Sequence, residues 1–363
     1  MNFTRSSNWK RKKKKRNERE REREREEANL VRFGEEEEQQ QVEEKLRSCK
    51  KEVAMQPDYK GPEVALLERI MQLQTLGADV FQASPSDDYP SFWGPVYGGQ
   101  LMGQALAAAS KTVDPPLQVH SFHSYFLRTG DDNVPIVYKV ERLRTGNTFA
   151  TRWVSAIQQG KLIFSMCSSF QRPEDGIKHQ TPMPSAPSVD EVESWEELRK
   201  TANTDPRIPL EVRQKLADRK AMIMPLEVKF VEPVDRVVPK VMAPWSRVWM
   251  RSKGKLSDDQ VLHSCVGAYF SDWTLLETAL RPHGHLPGRD DIRILSLDHS
   301  MWFHRPFRAD EWLLYVQSSP CASNARGLVF GHFYTQSGQL VMSSSQEGML
   351  RRVNPEATQK SKL

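Results

Sequence analysis

Three polar residues stand in strongly apolar surroundings: Asp272 in Val-Gly-Ala-Tyr-Phe-Ser-Asp-Trp, Ser296 in Ile-Leu-Ser-Leu-Asp-His, and Gln346 in Val-Met-Ser-Ser-Ser-Gln-Glu-Gly. Polar groups inside a buried element cost free energy unless they find partners, so these are either satisfied core groups or parts of a site. A carboxylate, a hydroxyl and an amide that meet can hold and activate a water. Hydroxyls and amides do not titrate near neutrality, which leaves Asp272 as the only general-base candidate of the three. Each also has an ordinary reading: Asp272 as a helix-capping or turn residue before Trp273, Ser296 as a strand hydroxyl bonded to backbone, Gln346 as a hairpin surface residue. His299 and His304 alternate with aromatics and read as hydrogen-bonded core or interface groups. His120 has no carboxylate in its motif, which favours a structural or substrate-channel role. His283-Gly-His285 is a weak metal signal in a Pro/Gly loop, and no metal site is expected.

The elements that must position these residues follow from periodicity. Glu63 to Leu76 places Val64, Leu67, Ile70, Met71 and Gln74 at helical spacing. Gly98 to Ser110 is small or apolar nearly all round, the composition of a helix wrapped by a sheet. Strands are expected at Val119–Leu127, Val134–Leu143, Phe149–Gln158 and Lys161–Phe170, the last two joined by the hairpin signal Gln159-Gly160. A Pro- and charge-rich connection holds a helical segment at Val192–Thr201. The plan then repeats: strands at Val228–Val237 and Trp245–Arg251, a helix at His263–Leu280, and strands at Ile294–His304, Glu311–Ser319, Gly327–Gln336 and Gln339–Glu347.

The repeat can be set residue on residue. An offset of 176 places His123-Ser124 on His299-Ser300, and matching helix starts places Tyr97 on His263. The first half then offers Leu106 for Asp272, His120 for Ser296 and Ser168 for Gln346. Only the second half carries the carboxylate, so one site of this kind per chain is expected.

Composition bounds the rest. The 363 residues divide into a charged extension (1–60), an N-terminal unit (61–171), a connection (172–227), a C-terminal unit (228–353) and a tail (354–363). The net charge of +5 hides a front end with a basic run at Lys10–Arg16, alternating Glu and Arg, and an acidic run at Glu35–Glu38; such a tract cannot bury a core. A nuclear or nucleic-acid role for it lacks aromatic interleaving, and no nucleic-acid partner is expected. Translation starting at Met55 would remove the extension without cost to folding. No apolar run is long enough to span a bilayer, and the basic N-terminus lacks the apolar stretch of a secretory signal. Cys49, Cys167, Cys265 and Cys321 are scattered, which indicates neither a disulfide framework nor a zinc site. The chain ends Ser361-Lys362-Leu363, which the peroxisomal import receptor reads as an address when it stands at a free C-terminus.

From about Glu63 to Arg352 the chain resembles the acyl-CoA thioesterase II (TesB-like) family. The motifs that carry this are Tyr97-Gly-Gly-Gln-Leu-Met-Gly-Gln-Ala-Leu, Val119-His-Ser-Phe-His-Ser-Tyr-Phe-Leu-Arg, Arg144-Thr-Gly-Asn-Thr-Phe, Leu297-Asp-His-Ser-Met-Trp-Phe-His-Arg-Pro-Phe and Gln346-Glu-Gly. The resemblance implies an α+β double hot-dog, two tandem units in each of which an antiparallel sheet wraps a long helix. It implies hydrolysis of fatty acyl-CoA to free acid and CoA by a water activated by Asp272, Ser296 and Gln346, with no cofactor. It further implies an oxyanion contact from a helix start, a role for His120, self-association, and a peroxisomal matrix location. Residues 1–60 lie outside it. Two rivals are disfavoured: no Gly-x-Ser occurs for an α/β-hydrolase nucleophile elbow, and Gly130-Asp-Asp-Asn-Val-Pro matches a hot-dog hydratase motif only superficially, with an intruding Val and no following His.

Overall fold

The computed structural model describes residues 64–85, 95–207, 224–233, 235, 240–284 and 292–352, all within one compact unit spanning 61–363. The charged extension, Met55, Cys49, His285, the tail with Ser361–Leu363 and most of the loop after Ser84 lie outside the described residues.

Two long helices form the centre. Helix α2 (Gly98–Ser110) and helix α4 (Gln260–Ser271) are buried along almost their whole length, as their small and apolar residues require. They lie antiparallel and in backbone contact: a Cβ on Gly99 would stand 2.1 Å from the Tyr269 carbonyl, and one on Gly103 2.9 Å from that of Cys265. Around them runs one antiparallel sheet. With β1 (Gln74–Gly77), β2 (Val80–Ala83), β3 (Gln118–Phe126), β4 (Ile136–Thr145), β5 (Phe149–Gln158), β6 (Lys161–Gln171), β7 (Leu226–Phe230), β8 (Trp245–Ser252), β9 (Ile292–Ser296), β10 (Asp298–Phe303), β11 (Leu313–Ser323), β12 (Arg326–Thr335) and β13 (Leu340–Arg352), the order is 1-2-4-5-6-3-10-13-12-11-8-7, with β9 beside β13. The halves join where β3 pairs with β10. This is the double hot-dog arrangement.

The strand expected over Val228–Val237 ends at Phe230, and three elements differ more. The first helix, α1, covers only Leu66–Ile70; Gln74 and Thr75 enter a hairpin turned at Asp79, whose φ is 59°. The helix expected over His263–Leu280 starts at Gln260, because the Asp259 carboxylate accepts the Val261 N–H at 2.9 Å, and ends before Asp272. Leu276–His283 is a separate 3-10 segment. The strand expected over Ile294–His304 is broken at Leu297. Ser296 lies opposite Gly348 and Ser300 opposite Ser345, a slip of one residue across the break. The connection holds helix α3 (Trp195–Thr204), and its earlier part lies along the second half, with Gln180 Nε2 donating to Gly338 O at 2.8 Å and Trp249 Nε1 to Pro187 O at 3.0 Å.

The repeat is real, but the letters that suggested it are one residue out of step. Across the β3–β10 join His123 faces Ser300 and Ser124 faces His299. His299 points into the core and His123 outward, so the two His-Ser pairs are not equivalent. An offset of 177 (Phe122 to His299) matches inward positions, since a one-residue shift exchanges the faces of a strand. On this alignment Val119, not His120, is the counterpart of Ser296. The helix caps pair Lys111, not Leu106, with Asp272. Ser168 remains the counterpart of Gln346.

Candidate active site

Asp272, Ser296 and Gln346 come together. The Gln346 amide Nε2 donates to Asp272 Oδ1 at 2.8 Å and to Ser296 Oγ at 2.8 Å, and the Ser296 hydroxyl stands 3.4 Å from the same Asp272 oxygen. Gln346 points inward from β13, opposite Val329 of β12. Ser296 joins it because of the break at Leu297. In a regular strand Ser296 would share the outward face of Asp298 and Ser300; the extra residue turns it to the inward face of His299, as bulges beside sites often do.

Asp272 is the C-terminal cap of α4, and every carbonyl of the last turn is tied down. Ser271 Oγ donates to Ala268 O at 2.9 Å, Tyr97 Oη to Tyr269 O at 3.0 Å, the Trp273 N–H to Phe270 O at 3.1 Å, and Tyr315 Oη to Ser271 O at 2.8 Å. The carboxylate therefore sits on a rigid turn. A negative charge at a helix C-terminus is unfavourable, and what offsets it is the other helix. The carboxylate accepts the Gly99 N–H in the first turn of α2, and a Cβ on Gly98 would lie 2.6 Å from Asp272 Oδ2. Gly98-Gly99 is thus the feature that lets one half's helix start reach the other half's acid. The pair was legible as a helix start but not as a carboxylate contact.

Burial pushes the Asp272 carboxyl up to about 6, against the bonds from Gln346, Gly99 and Ser296, which favour the charged form. A base so placed is ionised at neutral pH and close enough to neutrality to take a proton from water. The helix start expected to hold an oxyanion here holds the acid: the Gly99 N–H is committed to Asp272, and the Gln100 and Leu101 N–H groups turn to Tyr97 O at 3.1 and 3.3 Å.

The other candidates separate. The Phe126 end of β3 borders the site, its ring reaching within 3.0 Å of where a Gly98 Cβ would be. His120 is six residues back, about 20 Å along the strand. Its Nε2 pairs with Ser169 Oγ at 2.8 Å, its ring meets Phe149 edge-on, and burial lowers its basicity. His304 is exposed and shares Ser343 Oγ with His332. His299 is fully buried, directly behind Gln346. No cluster of His, Cys, Asp or Glu suited to a metal occurs among the described residues. Nor is any described helix long and apolar enough to cross a membrane, which says nothing of strands.

Comparison with known proteins supplies the family. A model described as Acyl-CoA thioesterase matches residues 226–349, and one described as Acyl-CoA thioesterase N-terminal domain matches residues 89–171. Acyl-coenzyme A thioesterase 8 of Homo sapiens is 40% identical over 300 residues, covering 81% of this chain and 91% of the human protein. The chain belongs to the TesB-like acyl-CoA thioesterase II family. It is an acyl-CoA thioesterase. A solved member of the family, the acyl-CoA thioesterase II TesB2 from Mycobacterium marinum, shares 40% identity at a TM-score of 0.63, covering 79% of this chain and 99% of that one. The Peroxisomal acyl-coenzyme A thioester hydrolase 1 of Saccharomyces cerevisiae is 28% identical over 329 residues, covering 78% of this chain and 93% of the yeast protein.

Proposed function

We propose that this thioesterase hydrolyses fatty acyl-CoA with a water held by Asp272, Ser296 and Gln346. Asp272 takes one proton from the water as its oxygen attacks the thioester carbonyl. The tetrahedral intermediate collapses by expelling the CoA thiolate, which leaves as the thiol once protonated, so that acid and CoA account for all atoms. Gln346 and Ser296 have no titrating role: Gln346 gives both amide hydrogens to Asp272 and Ser296 and so fixes the two groups that face the water. The observation that carries this reading is the Asp272 carboxyl, buried, bonded by Gln346 at 2.8 Å and poised at about 6. Purified protein should release free thiol from a panel of fatty acyl-CoA esters, and Asp272→Asn should abolish release while the protein still melts cooperatively. Full activity in that variant would remove Asp272 from the mechanism.

The working location proposed is the peroxisomal matrix. Support comes from the yeast relative's name, and from Ser361-Lys362-Leu363 when it stands at a free C-terminus. A fluorescent fusion with a free C-terminus should be punctate and become cytosolic when the last three residues are deleted. An unchanged pattern would contradict import through them. Self-association, implied by the family, is tested by light scattering on the eluted protein.

A further inference from the structure

Gln346 can serve only if its amide faces one way. Its Nε2 uses both hydrogens, on Asp272 and Ser296. Turned over, the amide would set its oxygen against the Asp272 carboxylate and lose both bonds. Something must fix the orientation. Gln346 Oε1 is buried without a hydrogen-bond partner, and so is His299 Nδ1. The two side chains face each other. His299 and Gln346 occupy opposed inward positions on β10 and β13, one step beyond the Ser300–Ser345 pair, where Cβ atoms stand about 5 Å apart. Both side chains are fully buried.

His299 Nε2 lies 3.0 Å from Ser271 Oγ. Burial drives the imidazole down to about 3, with the Gln346 side chain acting in the other direction, so it is neutral and carries one N–H. A proton on Nε2 would leave the Nδ1 lone pair facing the amide oxygen, two acceptors in a dry site. A proton on Nδ1 donates to Gln346, and the Ser271 hydroxyl then turns its single hydrogen from Ala268 O to Nε2. The ring is held for this: Phe122 stacks on it at 6.4 Å, and Ser124 Oγ donates to His299 O at 2.7 Å.

We propose that His299 is a positioning residue: held by Ser271, it donates from Nδ1 to Gln346 Oε1 and fixes the direction in which the amide faces Asp272 and Ser296. This rests on the role of Gln346 proposed above. A relay thus runs Ser271–His299–Gln346–Asp272, joining the turn that carries the base to the amide that serves it.

The test compares three variants by thiol release from an acyl-CoA. His299→Leu removes the donor and should lower kcat roughly 10- to 100-fold with KM changed less than threefold. Because the amide then bonds the carboxylate less well, the acid limb of kcat/KM should move up by about half to one pH unit. His299→Asn keeps a donor near the Nδ1 position and should recover most of the activity; His299→Gln, with its donor near the Nε2 position, should not. Nitrogen-15 NMR of the histidine-labelled wild-type chain, with the His299 signal assigned by its loss in His299→Asn, should show Nδ1 protonated and Nε2 bare. Protonation at Nε2, or a His299→Leu enzyme with wild-type kcat and acid limb, overturns the proposal. Gln346→Ala distinguishes the two levels. If it leaves activity intact the water-activating reading itself fails; if it is impaired while His299→Leu is not, only the positioning role fails.

Discussion

The two halves of this thioesterase end their central helices in opposite ways. In the second half α4 closes on Asp272, a negative charge where the helix dipole is itself negative. In the first half α2 closes on Lys111, and the fully buried Arg152 takes up its end, donating to Thr112 Oγ1 at 2.8 Å and Thr112 O at 2.9 Å. There the charge at the helix end is favourable. The strands differ to match: Arg152 lies opposite Ser168, whereas Val329 lies opposite Gln346. One half uses its polar groups to finish a helix. The other leaves an acid that only the partner half's helix start, an amide and a hydroxyl hold in place, and that exception to good local design is where chemistry is expected.

The contrast can be broken in a graded way. The largest effect should come from Asp272→Asn, with thiol release falling about 10²- to 10⁴-fold, the range for losing a general base. Lys111→Asp at the matching cap should leave turnover within about twofold and create no second activity. Next is Gly99→Ala. Its Cβ would meet the Tyr269 carbonyl at 2.1 Å and part the α2 start from Asp272. A loss of roughly 10- to 100-fold in kcat is expected, and unchanged turnover would mean that the contact between halves is not needed.

Arg152→Met should reverse the pattern. It leaves the Thr112, Arg144 and Thr151 carbonyls without their donor, so stability to urea should fall by about 2–4 kcal/mol. The kcat of the protein that remains folded should be near wild type. The smallest effect is in stability against pH. The Asp272 carboxyl stands near 6 in the folded chain against about 3.9 unfolded. Between those values the folded chain keeps a proton that the unfolded chain has lost, so stability should decline as pH rises from about 4 to about 6, by on the order of 1–3 kcal/mol. That segment should be absent from Asp272→Asn and present in Lys111→Asp.

Much of this was legible in the residues. Small-residue helices, strand alternation and the hairpin signal at Gln159-Gly160 gave the architecture, and polar residues in apolar runs marked Asp272, Ser296 and Gln346. What was hidden is register. The slip at Leu297 that turns Ser296 inward depends on how β9 and β10 both pair with β13. The misalignment of His123 with His299 is the same kind of error, because a period of two makes one residue decisive. The end of α4 was obscured for another reason. Apolar spacing continues through Leu275 and Leu276, and only the hydroxyls of Ser271, Tyr97 and Tyr315, two of them distant in sequence, show why the helix stops at the acid.

The central claim is that Asp272 acts on water and does not itself attack the thioester. A single turnover in oxygen-18 water, with enzyme in excess over acyl-CoA, tests it most directly. The account predicts one labelled oxygen in the acid released and an unlabelled Asp272. Label in the Asp272 carboxyl with an unlabelled first-turnover acid would mean that the carboxylate forms an anhydride, and would contradict it.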